Sequence, residues 1–91
     1  MSSISVERNV TPMKLDVMNV DCWPERKTEV SQQARDFDVT EQVYILAGEL
    51  HVTPEGGETL VLKRGDLAYI SAGTRCVWEV VKPLREHYLS Q

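Results

Sequence analysis

Glu41 and Cys76 are the residues of this 91-residue chain whose types and positions could do chemistry. Glu41 opens the apolar stretch Val43–Ala47. If strand alternation turns it inward with Val43 and Ile45, its carboxylate enters an apolar space. A carboxylate there resists ionisation unless a cation pairs with it. Such a group can serve as a general base or hold an amine-bearing substrate. The equally good structural reading makes it the ion-pair partner of Arg35 or Arg75. Cys76 shares a strand face with Trp78, while Arg75, Val77 and Glu79 fall on the other. A thiolate there would be a nucleophile or a metal ligand. The plainer reading is a small apolar filler, since free cysteine is among the most buried residue types. No histidine stands near Cys76 in sequence to act as its base; His51 and His87 are each alone. Tyr44, Tyr69, Trp78 and Tyr88 are aromatic residues on strands. Aromatic walls around one acid suit a small organic ligand, and an ordinary core explains some of them as well. The expected catalytic pair is therefore Glu41 and Cys76, with Tyr44, Trp78, Arg35 and His87 as ligand-binding residues.

These residues need strands to hold them. Gly65-Asp66 signals a turn into a strand at Leu67–Ile70, and Ser71-Ala72-Gly73 turns the chain into a second strand from Thr74 to Val81. The pair is expected to form a hairpin lining a small barrel. Pro83 is expected to close the second strand, and Arg85–Leu89 to supply a last one. Upstream, Gln42–Leu46 is the clearest strand, Gly48-Glu49 a bend, and Pro54–Glu58 a glycine-rich hairpin loop returning through Thr59–Lys63. Lys27–Phe37 alternates weakly and reads as one strand. Thr11-Pro12 is a helix start, giving a short helix or turn over residues 12–18 that lids one end of the barrel. Cys22-Trp23-Pro24 breaks any helix, because Pro24 disfavours the helical conformation at Trp23. Residues 1–10 alternate weakly, with Ile4 and Val6 among polar residues, and either add an edge strand or fray. Residues 1–22 thus form an arm and 23–91 a barrel, within one domain. Strands spaced about ten residues apart, without a long helical period, mark an all-β sandwich or barrel.

Composition narrows the function classes. Ten Lys and Arg against 14 Asp and Glu give a net charge of −4, which argues against nucleic acid or an anionic membrane as partner. The hydrophobic content of 42% fits a globular domain, and Val43–Ala47 is far too short to span a bilayer. The N-terminus lacks a signal-peptide core, so the cytoplasm is expected; an organellar form with its transit peptide removed would look the same. Cys22 and Cys76 do not form a Cys-x-x-Cys pair and are expected to be reduced.

The motif spacing resembles a known family. Glu41, six residues, then Gly48 resembles the end of the first cupin motif. Gly65, Ser71 in the usual proline position, Gly73 and Cys76 resemble the second. The resemblance covers residues 23–90 and is closest to short single-domain cupins of the ureidoglycine aminohydrolase-like and ethanolamine-utilisation kind. It implies a jelly-roll barrel, often dimeric, with a pocket inside. The pattern also departs from the family. The paired histidines that precede the glutamate fall at Arg35 and Phe37, or at Ala34 and Asp36, and the second-motif histidine position holds Cys76. Of four usual ligands only Glu41 survives, and an arginine at a ligand position repels a cation.

The expectation is therefore a small-molecule-binding cupin without the usual histidine-based metal site and without a cofactor. Two alternatives stand beside it. One is a metal-dependent enzyme of the dioxygenase, isomerase or aminohydrolase type, holding a divalent metal with Glu41, Cys76 and histidines from elsewhere, His51 or His87. The other is a non-enzymatic homodimeric scaffold or regulatory module.

Overall fold

The computed structural model describes residues 3–91. Its elements are β1 (Ile4–Glu7), α1 (Pro12–Val17), a 3₁₀ turn (Val20–Cys22), β2 (Glu25–Thr28), β3 (Ser31–Asp36), β4 (Glu41–Pro54), β5 (Leu60–Lys63), β6 (Leu67–Ile70) and β7 (Arg75–Ser90). All seven strands belong to one hydrogen-bonded sheet, and the fold is an all-β jelly roll.

Two long strands carry the architecture. β4 and β7 pair antiparallel along most of their length, from Glu41 opposite Ser90 to Pro54 opposite Cys76. β6 and β1 extend the sheet from the first half of β4, and β5 pairs with its second half. β2 and β3 pair with the two ends of β7. The β4–β7 ladder shifts register between Ile45 and Leu50. Gly48 lies at this break with φ +94°, and a Cβ there would sit 2.1 Å from the Pro83 carbonyl oxygen. Only glycine combines that conformation with that close approach. The break flips the inward phase of β4 from odd residues, Val43 and Ile45, to even ones, Leu50 and Val52. β7 buries even residues on both sides of the break, Cys76, Trp78, Val80, Leu84 and Glu86, with Lys82 exposed at the break itself.

Four expectations change. Residues 67–81 are not a hairpin: β6 pairs with β1 and β4, whereas β7 pairs with β4, β2 and β3. The turn at Ser71–Thr74 carries the chain across the barrel instead. Pro83 does not end a strand, because it sits at the register break where its missing N–H leaves no ladder bond unmade. Residues 27–37 split at Glu29-Val30 into β2 and β3. Gly48-Glu49 is a bulge inside one 14-residue strand rather than a bend between two.

The N-terminal segment behaves as its residues suggest. Ile4–Glu7 adds an edge strand to β6. The Thr11 hydroxyl accepts the Lys14 backbone N–H at 3.2 Å and caps α1, with Pro12 in its first turn. No residue of α1 is fully buried, but Leu15 and Met18 pack against Val20, Trp23 and Leu67 in a small cluster outside the barrel. Asp66 fastens the arm: its carboxylate accepts the Lys63 N–H at 2.8 Å and pairs with Arg8. The main core fills the barrel with Phe37, Val43, Ile45, Leu50, Val52, Leu62, Ile70, Trp78, Val80 and Leu84. No helix among the described residues is long and apolar enough to cross a membrane.

Candidate functional site

Four ionisable side chains meet at one end of the barrel interior. Glu41 begins β4 on the inward phase of Val43 and Ile45 and is buried. Glu86 lies on β7 opposite Ile45 and is fully buried. Arg26, on β2 opposite Glu86, joins the two carboxylates. Its Nε donates to Glu86 Oε1 at 2.6 Å, and its Nη2 donates to Glu41 Oε2 at 3.1 Å. Arg35, on β3 opposite Cys76, approaches Glu41 Oε2 at 3.8 Å. Ser90 donates its hydroxyl to Glu41 Oε1 at 3.1 Å.

Aromatic rings hold both guanidinium groups. Arg26 stands 4.3 Å from the centroid of Tyr88. Arg35 stands 4.4 Å from Phe37 and 4.5 Å from Trp78, whose rings pack 5.9 Å apart. Cation–π contacts of this kind contribute about 0.5–2 kcal/mol each, more where water is excluded.

The electrostatics are unequal. Burial pushes the Glu86 carboxyl upward, and Arg26 offsets only part of this. Burial works against the charge on Arg26 too, but Glu86 and Glu41 outweigh it and hold the guanidinium more firmly protonated. Arg35 is pulled down by burial despite Glu41. Burial also raises the Cys76 thiol, against a smaller opposite pull from Arg35. Cys76 is thus a protonated, buried thiol at the border of an outer groove that also takes in Asp36, Glu55 and Arg75. One atom stands out: Glu86 Oε2 is buried and has no hydrogen-bond partner among the described residues.

The six expected site residues divide between two faces. Glu41, Arg35, Cys76 and Trp78 face the interior. Tyr44 lies on the opposite face of β4, in the cluster of Val20, Trp23 and Leu67. His87 is on that face as well, paired in register with Tyr44, and its Nδ1 lies 3.0 Å from the Trp23 carbonyl oxygen. Both therefore support the arm rather than face Glu41. His51 also points outward and bonds to Glu49 at 2.7 Å. The ion-pair reading of Glu41 holds for Arg35 and fails for Arg75, which stands on the exterior near Asp36. The sequence reading missed Arg26 and Glu86. Parity along β7 points to Glu86, since Cys76, Trp78, Val80 and Leu84 bury the same phase.

The donor set does not fit a metal. Among the described residues no three of His, Cys, Asp and Glu are grouped to hold one. Arg35 lies at a position where a ligand would be needed, and the Glu41 oxygens already accept from Arg26 and Ser90. Among several outer grooves, two flank the sheet. One of about 350 Å³ is lined by Ala34, Asp36, Thr53, Glu55, Arg75, Cys76 and Val77. The other, about 420 Å³, lies between α1 and the sheet, against Met18, Gln42, Leu67 and Tyr69. Neither includes Glu41, Arg26 or Arg35.

Comparison with known proteins agrees with this frame. Residues 16–88 match the family described as EutQ-like cupin domain. A DUF861 family protein from Thermotoga maritima is 38% identical, with a TM-score of 0.93 over 98% of this chain and all of that one. A putative ethanolamine utilization protein Q from Salmonella typhimurium is 27% identical, with a TM-score of 0.66 over 72% of this chain and 53% of its own length. The Clostridium difficile EutQ protein shares the fold at 15% identity and a TM-score of 0.68. No curated protein matches.

Proposed function

Since the chain belongs to the EutQ-like cupin domain family, we propose that it is a small-molecule-binding cupin that works without a metal, through the charged end of its barrel interior. One observation carries this reading. Arg26 bridges Glu41 and Glu86 with its single positive charge, where a histidine-lined barrel would use a metal ion. A divalent cation there would have to displace a guanidinium bonded to two buried carboxylates. The rings of Phe37, Trp78 and Tyr88 surround the two guanidinium groups, and such aromatic surroundings suit an organic ligand.

Metal analysis of protein purified without a metal-chelating tag tests the proposal. It predicts far less than one equivalent of iron, zinc or manganese per chain. A stoichiometric, tightly held metal would sink it. The metal-dependent alternative predicts in addition that Cys76→Ala loses that metal.

A homodimer is a second reading, supported by β3. This strand pairs with β7 along one side only, and most of its residues are exposed, including the outer edge of Ser31–Asp36. Open edges of this kind are usually covered by another chain. A monomer across the accessible concentration range in small-angle scattering would rule the dimer out.

A further inference from the structure

We infer that the barrel end binds a small organic anion carrying a hydrogen-bond donor, a hydroxy- or aminocarboxylate, with Arg35 holding the carboxylate and Glu86 Oε2 accepting the donor. The inference rests on the metal-free binding reading and adds the ligand class.

Exposure decides the sign of the charge. The arginine side chains are 29% and 23% exposed, the carboxylates Glu41 and Glu86 6% and 0%. An arriving ligand therefore meets guanidinium first. A small anion is drawn in, and a small cation is repelled before it can reach either carboxylate.

The two arginines also differ in how they are used. Arg26 spends its Nε and Nη2 on Glu86 and Glu41. Arg35 makes no hydrogen bond among the described residues; it holds only the 3.8 Å approach to Glu41 and its stacking on Phe37 and Trp78. A guanidinium offers a rigid fork of five donors that matches a carboxylate in two parallel bonds. Stacking leaves the edge of that fork free while fixing its plane. The aromatic pair thus orients an unused anion receptor at the mouth.

The second element is the buried oxygen of Glu86 that has no partner among the described residues. A buried acceptor without a donor costs free energy, and native structures rarely leave one unexplained. A hydroxyl or ammonium on the ligand supplies the missing donor. Apolar side chains fill the rest of the interior, so the ligand is small.

Binding of glycolate, acetate and ethanolamine, measured by calorimetry on the full chain, tests this. The three probes carry carboxylate plus hydroxyl, carboxylate alone, and hydroxyl plus ammonium. Glycolate should bind best, acetate more weakly, and ethanolamine not at all. Arg35→Gln should weaken glycolate and acetate together, by about tenfold or more, the equivalent of one charge-assisted hydrogen bond. Glu86→Leu removes the acceptor and offers nothing in its place. It should erase the advantage of glycolate over acetate, while the loss of a negative charge acts on both carboxylates alike. Ethanolamine binding as well as glycolate, equal binding of glycolate and acetate, or no effect of either substitution overturns the inference. So does an absence of glycolate binding at millimolar concentration. A metal-free protein that prefers ethanolamine would refute the ligand class alone, whereas a stoichiometric metal would refute the underlying reading.

Discussion

Replacing Arg26 by methionine keeps most of the stem volume and removes the charge that two buried carboxylates share. Glu86 and Glu41 bond to the guanidinium at 2.6 and 3.1 Å and are themselves almost wholly buried. Removing one partner of a buried ion pair costs about 3–5 kcal/mol, because the remaining charge stays desolvated and uncompensated. Arg26 is partly exposed, so the low end, about 3 kcal/mol, is the better estimate. For a domain of this size that loss lowers the Tm by roughly 12–24 °C. Urea titrations at pH 7 should show a lower midpoint with an unchanged slope. The loss should shrink as pH falls. Without Arg26 the buried Glu86 carboxyl is easier still to protonate in the fold than in the unfolded chain, and such a group favours the fold at low pH. The variant Arg26→Met with Glu41→Gln and Glu86→Gln should recover much of the stability at pH 7, since no charge is then stranded. A destabilisation below about 1 kcal/mol, the range of an exposed pair, or one independent of pH, would refute the reasoning.

Gly48→Ala should destabilise by about 2–4 kcal/mol, since it combines a left-handed backbone with a Cβ 2.1 Å from the Pro83 carbonyl oxygen; thermal unfolding reads this directly. Glu86→Gln should change stability with pH in a defined direction. The Glu86 carboxyl is raised in the fold, so its contribution is intact below the ordinary glutamate range and is lost as pH rises through the raised value. The glutamine variant should therefore gain relative to the parent as pH rises, as parallel urea titrations at pH 4 to 8 would show. In thiol titration with a chromogenic disulfide reagent, exposed Cys22 should react in the native protein and buried Cys76 only after denaturant is added.

Backbone signals in the sequence proved more informative than side-chain signals. Gly65 and Gly73 take positive φ in the turns that follow β5 and β6, and Gly48 takes it at the bulge within β4. Cys76 and Trp78 face inward by simple alternation. Parity misled where the chain is irregular. Taking Pro83 as a strand end broke the phase that runs from Cys76 to Glu86 and left residues 85–89 without an assigned face. The charged cluster was hidden for the same reason. Arg26 is the second residue of a short strand that starts directly after Pro24, with no apolar neighbours to give it a phase, and Glu86 looks like one of many surface acids until β7 is seen to be continuous. Tyr44 and His87 were placed in the pocket because aromatic and imidazole groups suit ligands. Tyr44 stands one residue from Val43 and His87 one from Glu86, and that single step puts each on the other side of the sheet.

The account stands or falls on what lies between Glu41 and Glu86. A high-resolution crystal structure grown with manganese and zinc present would show it directly. It should contain Arg26 bridging the two carboxylates, with no metal at bonding distance, about 2.0–2.3 Å, from Glu41 or the Cys76 Sγ. Arg26 swung away, with a metal bound to Glu41 in its place, would contradict the account.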